Sequence, residues 1–124
     1  MILVDTSVWV DHFKNKNDTL IQLLLSDCVL MHPMILAEIA CGTPPAPRQQ
    51  TLSNLNLLPK SHEATMTEVL AFIENEKLFG SGCGLVDITL LASTRITPGA
   101  RLWTLDKRLS RLADILNIGF QPVH

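Results

Sequence analysis

The residues best placed to do chemistry are four acids that end or interrupt strongly apolar segments: Asp5, Glu38, Asp87 and Asp106. No Lys or Arg lies within three residues of the first three. A carboxylate is rarely buried without a partner, because the buried charge loses its hydration. If the four converge, their repulsion keeps some protonated unless a cation joins them, and hard oxygen ligands suit Mg²⁺ or Mn²⁺. The pattern therefore suggests a divalent-metal site.

Each of the four acids also has a structural interpretation. Asp5 and Asp106 precede predicted helices, where an Asp commonly caps the helix. Asp87 lies in a predicted first helical turn, where the helix dipole stabilises it by about 0.3 to 1 kcal/mol. Glu38 lies in a helix that is apolar on nearly every face, which favours a position at a cleft over an ion pair. Their joint occurrence at strand ends and helix starts is a stronger argument than any one of them.

The order of apolar patterns along the chain predicts the scaffold that must position these acids. Five short segments are typical of strands: 2–4, 28–31, 55–58, 101–104 and 119–121. Helical patterns follow residue 5 and cover the segments 20–25, 33–41, 47–54, 63–78, 86–94 and 106–116. This alternation favours a mostly parallel sheet with helices on both faces. Ligands bind beyond the carboxyl ends of such strands, where Asp5 and Asp106 would lie.

Length and composition indicate a single domain spanning residues 1–124. An apolar content of 47% fits either a well-filled core or a surface that binds a protein partner. Three cysteines form no C-x-x-C pair and read as core thiols in a reducing compartment: Cys28, Cys41 and Cys83. The start of the chain lacks a basic stretch, and no apolar run reaches the roughly 18 residues of a membrane span. We therefore expect a cytoplasmic protein with no membrane partner.

The distribution of charge is more informative than the net charge of −2. Binding of nucleic acid depends on Lys and Arg, and metal neutralisation of the four carboxylates would change the net charge to +2. Half of the ten basic residues lie in the last third of the chain: Arg95, Arg101, Lys107, Arg108 and Arg111. Such a cluster could position a nucleic-acid backbone near Asp106, although a solvated helix face explains the last three about equally well.

The remaining polar features point to no separate site. The glycines at 80, 82 and 84 match no phosphate-loop motif and favour a flexible turn. Four histidines show no metal-ligand spacing and receive no catalytic role: His12, His32, His62 and His124.

The chain resembles the PIN-domain ribonucleases and, within them, the VapC toxins of toxin–antitoxin pairs. Four segments carry the resemblance in order: ILVDTSVW at 2–9, ILAEI at 35–39, GLVDITLLA at 84–92 and WTLD at 103–106. The resemblance implies a PIN-like α/β/α sandwich around a central, mostly parallel sheet of four to five strands.

The resemblance also implies metal-dependent cleavage of RNA. Asp5, Glu38 and Asp87 would be the core carboxylates for Mg²⁺ or Mn²⁺, and Asp106 would complete the site. Two hydroxyl residues match supporting positions near the family's site: Ser7 and Thr104. Toxins of this type form dimers and are held inactive by an antitoxin encoded beside them. The expected partners are therefore RNA, a VapB-like antitoxin and a second copy of the chain.

Two other classes of function fit part of the pattern. A catalytically inert interaction module would use the four acids only as helix caps. A receiver-type phospho-acceptor domain would need paired acids near the start and a Lys at a late strand end, and it leaves Glu38 and Asp87 without a role.

Overall fold

A computed structural model describes residues 1–122. Within that range the chain forms three strands and seven helices in an α/β arrangement. In chain order they are β1 Ile2–Val4, α1 Thr6–Asn15, α2 Asp18–Leu25, β2 Val29–Leu30, α3 Pro33–Cys41, α4 Arg48–Asn56, α5 Met66–Asn75, α6 Leu85–Ile96, β3 Arg101–Trp103 and α7 Lys107–Ile115. Val123 and His124 lie outside the described residues, so His124 has no structural assignment.

The sheet is parallel, with the strand order β2-β1-β3. Ile2 of the central strand lies opposite Val29 on one side and Arg101 on the other. All three residues of β1 are buried, as expected for a strand that is covered on both faces. The parallel sheet predicted from the sequence is therefore confirmed, and the carboxyl ends of β1 and β3 share one edge.

The sheet is smaller than the four to five strands predicted. Beyond the three strands, the described residues form two isolated parallel bridges, Met31 with Lys60 and Leu102 with Gly119. Gly119 begins the predicted strand 119–121, whereas Lys60 lies outside the predicted strand 55–58. The predicted strand at 55–58 is wrong, because its first two residues complete α4. Pro59 lacks an N–H and cannot extend the first bridge into a ladder. Turn residues before Gly119 similarly limit the second bridge to one residue.

Helix α6 is the most deeply buried helix, with seven consecutive buried residues from Ile88 to Thr94. Its polar members remain satisfied, because the hydroxyls of Thr89 and Thr94 donate to the carbonyls of Leu85 and Leu90 at 2.7 Å. The helix packs against α5 and β3, while α7 also packs against β3 and α1 packs against α3. The rigid interior of α6 thus fixes its amino-terminal turn.

Helix α5 begins at Met66, later than the predicted start at residue 63. Thr65 and Glu68 form a capping box, in which each side chain accepts a hydrogen bond from the other residue's backbone N–H. These hydrogen bonds lower the pKa of Glu68. Among the described residues, no helix combines the length and apolar character required to span a bilayer. The three cysteines are free thiols.

Candidate metal centre

The four predicted acids extend from four different elements. Asp5 directly follows β1, and Asp106 follows β3 after two intervening residues. The backbone N–H of Asp5 donates to Trp103 O at 2.9 Å, which fastens these two strand ends together. Glu38 lies in α3, and Asp87 lies in the first turn of α6. The parallel sheet therefore places Asp5 and Asp106 at one edge, as the sequence predicted.

Asp5 is buried but does not cap helix α1 with its side chain. Its Oδ2 accepts hydrogen bonds from Ser7 Oγ at 2.8 Å and from Thr104 Oγ1 at 2.7 Å. None of the described residues donates to Oδ1. The capping interpretation left open by the sequence therefore fails for Asp5. Two hydroxyls hold the carboxylate by one oxygen and leave the other oxygen available.

The two supporting hydroxyl residues join the two strand ends. Ser7 Oγ and Thr104 Oγ1 lie 3.3 Å apart, and each also accepts a backbone N–H. Leu105 N donates to Ser7 Oγ at 3.0 Å, and Asp106 N donates to Thr104 Oγ1 at 3.0 Å. Both residues thus lie beside Asp5 and set its position relative to Asp106.

Asp106 does cap a helix, because its Oδ1 accepts from Leu109 N at 2.9 Å at the start of α7. The residue is exposed. Its structural interpretation is therefore realised, while its second oxygen has no hydrogen-bond donor among the described residues. Asp106 can therefore cap α7 with Oδ1 and leave Oδ2 available for a metal ion.

Glu38 lies on the exposed side of α3, whose residues Ile35 and Ile39 face the core. Its Oε1 accepts a hydrogen bond from Thr6 Oγ1 at 2.7 Å. Glu38 also borders an apolar groove of about 460 Å³ between α1, α3 and the segment 42–45, which contains Pro44 and Pro45. The cleft favoured by the sequence is therefore present. Sequence reasoning missed Thr6, whose only signal was its place beside Asp5.

The pKa of Asp87 is raised by burial and by each of the three other acids. Burial raises the pKa of Asp87 most, and the carboxylates of Asp5, Asp106 and Glu38 raise it further. A backbone hydrogen bond at Gly84 opposes the rise. The three other predicted acids therefore all act on one partly buried carboxyl group, which is the repulsion expected of converging carboxylates.

The four carboxylates do not form a finished coordination shell. Within residues 1–122, no group of three or more His, Cys, Asp or Glu side chains is arranged to hold one metal ion. The donors are nevertheless all oxygen atoms, which suit Mg²⁺ or Mn²⁺. Mg²⁺ usually keeps several waters and takes only one or two carboxylates directly. The chemistry of the donors therefore fits a hydrated divalent ion.

The four acids Asp5, Glu38, Asp87 and Asp106 are together called the acidic edge. The basic residues differ in how close they lie to it. Lys107 and Arg108 occupy the first turn of α7, directly after Asp106. The Arg108 side chain packs over Gly82, where an added Cβ would lie 3.1 Å from its Cδ. Burial and the carboxylates of Asp87 and Asp106 raise the pKa of the neighbouring thiol, Cys83, while Arg108 opposes them. Arg108 thus lies at the border of the acidic edge.

Two other predicted basic residues lie farther away. Arg95 is in the last turn of α6, eight residues or about 12 Å along the helix axis from Asp87. It pairs with Glu76 at 3.7 Å. Arg101 begins β3 and donates to Gly119 O at 2.9 Å, at the end of the strand opposite the acids. The structure does not bring these two residues to the acidic edge.

Similarity to known proteins assigns this chain to a family. No family model matches the chain. Two curated proteins from Mycobacterium tuberculosis, strains CDC 1551 / Oshkosh and H37Rv, are both named Ribonuclease VapC32. Each is 42% identical over 109 residues, which cover 88% of this chain and 87% of the relative. The chain therefore belongs to the VapC family of PIN-domain ribonucleases, as the resemblance of its four segments indicated.

Proposed function

We propose that this chain is a metal-dependent endoribonuclease toxin that hydrolyses RNA phosphodiester bonds. The observation that carries the proposal is the arrangement of Asp5, whose carboxylate is positioned by two hydroxyls and not used as a cap. The similar proteins are named ribonucleases, which supports RNA as the substrate. An inert module that uses its acids only as caps would have no need for the arrangement around Asp5.

Four residues would hold the cofactor, which is Mg²⁺ or Mn²⁺: Asp5, Glu38, Asp87 and Asp106. A divalent ion supplies an activated water and shields the charge on the phosphoryl oxygens. The chain's own contribution is position. Ser7 and Thr104 orient Asp5, and Thr6 orients Glu38. The raised pKa of Asp87 supports a role for the cation, because the ion would relieve the repulsion among the four acids.

Basic residues would bind the RNA backbone around this centre. Arg108 and Lys107 are placed to contact the phosphates nearest the acids, because both follow Asp106 directly in α7. Arg95 and Arg101 would contact RNA more distant from the cleaved bond. Guanidinium groups suit this task because they form paired hydrogen bonds to phosphate oxygens.

The proposal includes the partners and setting of such a toxin. A VapB-like antitoxin would neutralise the enzyme in the cytoplasm, and the toxin would form a homodimer. The relatives' VapC name supports the antitoxin. Large apolar side chains are exposed, including Leu25 at 74% and Leu57 at 83%, which supports burial against another protein. A PIN-like α/β/α sandwich is the finer fold that we propose for the arrangement of helices around the sheet.

The test is cleavage of a mixed RNA pool by purified, antitoxin-free protein with Mg²⁺, Mn²⁺ or chelator. We expect discrete fragments that require metal and disappear in Asp87→Asn. Asp18→Asn is a matched control, because Asp18 is an exposed acid in the first turn of α2. Intact RNA under every condition, from folded protein, would contradict the proposal. Equal loss of cleavage in both variants would show that Asp87 has no specific role.

A further inference from the structure

We infer that His32 and Ser93 form a buried link that ties the amino-terminal cap of the helix of Glu38 to the helix of Asp87, so that His32 is a positioning residue for the metal centre. This inference rests on the proposed function and deepens it. His32 makes no hydrogen bond to any of the four acids.

The link joins three separate parts of the chain inside the core. His32 is 2% exposed and Ser93 is fully buried. His32 Nδ1 accepts a hydrogen bond from Met34 N at 3.0 Å and so caps the start of α3. His32 Nε2 lies 3.2 Å from Ser93 Oγ in α6. Ser93 Oγ also accepts from Ala64 N at 3.1 Å, in the segment that leads into α5.

The hydrogen bonds fix the protonation of the histidine ring. Because Met34 N–H donates to Nδ1, the neutral ring carries its proton on Nε2 and donates it to Ser93 Oγ. A doubly protonated ring would turn Nδ1 into a second donor facing the Met34 N–H. Burial lowers the pKa of His32, and the nearby carboxylate of Glu63 only partly offsets this effect. The ring is therefore held in the neutral form that the link requires.

The position of the link makes it suitable for setting the distance between two carboxylates. His32 lies six residues before Glu38, and Ser93 lies six residues after Asp87. At 1.5 Å per residue, each acid is about 9 Å along its helix from the link. A change at the link would therefore alter the spacing of the two acids.

A second hydroxyl, that of Thr97 at the C-cap of α6, provides a matched control. Thr97 Oγ1 accepts from His62 N at 2.9 Å, so it ties α6 to the same segment that Ser93 contacts through Ala64. Thr97 lies four residues beyond Ser93 and makes no hydrogen bond to α3 among the described residues. Its loss would weaken the fold without releasing α3.

The experiment compares Mn²⁺ affinity in the full chain for His32→Asn, Ser93→Ala, their double variant and Thr97→Val. Asn can still cap α3 through its side-chain oxygen but is too short to reach Ser93. Affinity is read by electron paramagnetic resonance, and folding by circular dichroism and Tm. We expect both single variants to weaken Mn²⁺ binding by about 3- to 30-fold. Loss of a group that hydrogen-bonds directly to a metal ligand typically costs more, about 10- to 100-fold. The double variant should bind Mn²⁺ no more weakly than whichever single variant binds it less tightly, because both substitutions remove the same hydrogen bond between His32 and Ser93.

Three results would overturn the inference. Wild-type affinity in folded His32→Asn and Ser93→Ala would show that the link does not position the acids. An equal loss in Thr97→Val at a similar Tm would show that general destabilisation explains the effect. Failure of the wild-type chain to bind Mn²⁺ would show that there is no metal centre for the link to position. If His32→Asn fails to fold, Ser93→Ala decides the question alone.

The RNA assay separates failure of the link from failure of the proposed function. A wild-type protein that binds Mn²⁺ but leaves RNA intact would contradict only the proposed nuclease, and the affinity comparison would still test the link. Wild-type protein that cleaves RNA, together with variants of unchanged affinity, would contradict only the link.

Discussion

The acidic edge has two parts that differ in how firmly they are held. The sheet part contains Asp5, Ser7, Thr104 and Asp106, which form a continuous hydrogen-bond network with the backbone of two strand ends. The helix part contains Glu38, which is exposed and held by one hydrogen bond from Thr6. Asp5 and Asp106 are thus positioned by the fold, while Glu38 can adjust. A cation would complete the site by drawing the helix part toward the sheet part.

The largest expected effect is at the centre of the sheet part. Asp5→Asn keeps the shape of the side chain and removes the charge, and we expect RNA cleavage to fall by at least about 100-fold in the presence of Mg²⁺. Single-turnover cleavage measures the loss. Retention of cleavage within a few fold of wild type would contradict the central place of Asp5.

Thr104→Val should be the next most damaging change. Valine keeps the shape but removes the donor to Asp5 and the acceptor for Asp106 N–H. We expect cleavage to fall about 10- to 100-fold and the free energy of unfolding to fall by about 1–3 kcal/mol. Rate measurements and urea unfolding on the same protein separate these effects.

Thr94→Val is the control for that change, because Thr94 is also buried but bonds only to the carbonyl of its own helix. It should lower stability and leave the cleavage rate unchanged. If both valine variants lose cleavage equally, the special position of Thr104 is refuted.

A smaller effect is expected in the helix part. Thr6→Val removes the one hydrogen bond to Glu38, which is exposed and can still move toward a cation. We expect cleavage to fall less than about 10-fold and the Mg²⁺ concentration for half-maximal rate to rise. A Mg²⁺ titration of the cleavage rate measures both quantities. A loss as large as that of Thr104→Val would show that the two parts are held equally firmly.

The smallest expected effect is on the stability of the metal-free protein. The pKa of Asp87 is raised above its ordinary value of 3.8, so the folded chain binds this proton more tightly than the unfolded chain does. Asp87 therefore favours folding at low pH, and this contribution is lost as pH rises from 3.8 through the folded pKa. At neutral pH in chelator, Asp87→Asn should stabilise the fold by no more than about 1 kcal/mol, because the carboxyl group is partly solvated.

A pair of Asp106 variants sharpens this stability comparison. Asn caps a helix as well as Asp does, so Asp106→Asn should leave stability nearly unchanged, while Asp106→Ala should cost about 1 kcal/mol. Urea unfolding in chelator measures all three variants. Destabilisation by Asp87→Asn would indicate that Asp87 has a structural role similar to that of Asp106.

Local signals in the sequence predicted much of this architecture. The three strands were predicted from short apolar runs, and the apolar residues of each are buried, while Arg101 at the start of β3 is exposed. The same signal failed at 55–58, where Leu55 is a buried residue of helix α4, because a short apolar run does not distinguish a strand from a helix. The signal for the late start of α5 is the T-x-x-E spacing of 65–68, which is typical of a capping box.

Contacts between distant residues could not be predicted from one sequence. The unusual apolar setting of Glu38 and Asp87 marked them as candidates, but Thr6 is 32 residues from Glu38. His32 and Ser93 are 61 residues apart, and neither shows a motif. Their roles depend on which helices meet, and only the fold determines that.

The most direct test of the account is a crystal structure of the full chain grown with Mn²⁺, with anomalous scattering used to locate the ion. We predict Mn²⁺ between the two parts of the acidic edge, with Asp5 and Asp87 bound directly or through water and with Glu38 moved toward the ion. Mn²⁺ bound elsewhere, or no ion at saturating concentration, would contradict the claim that these four carboxylates form a metal centre.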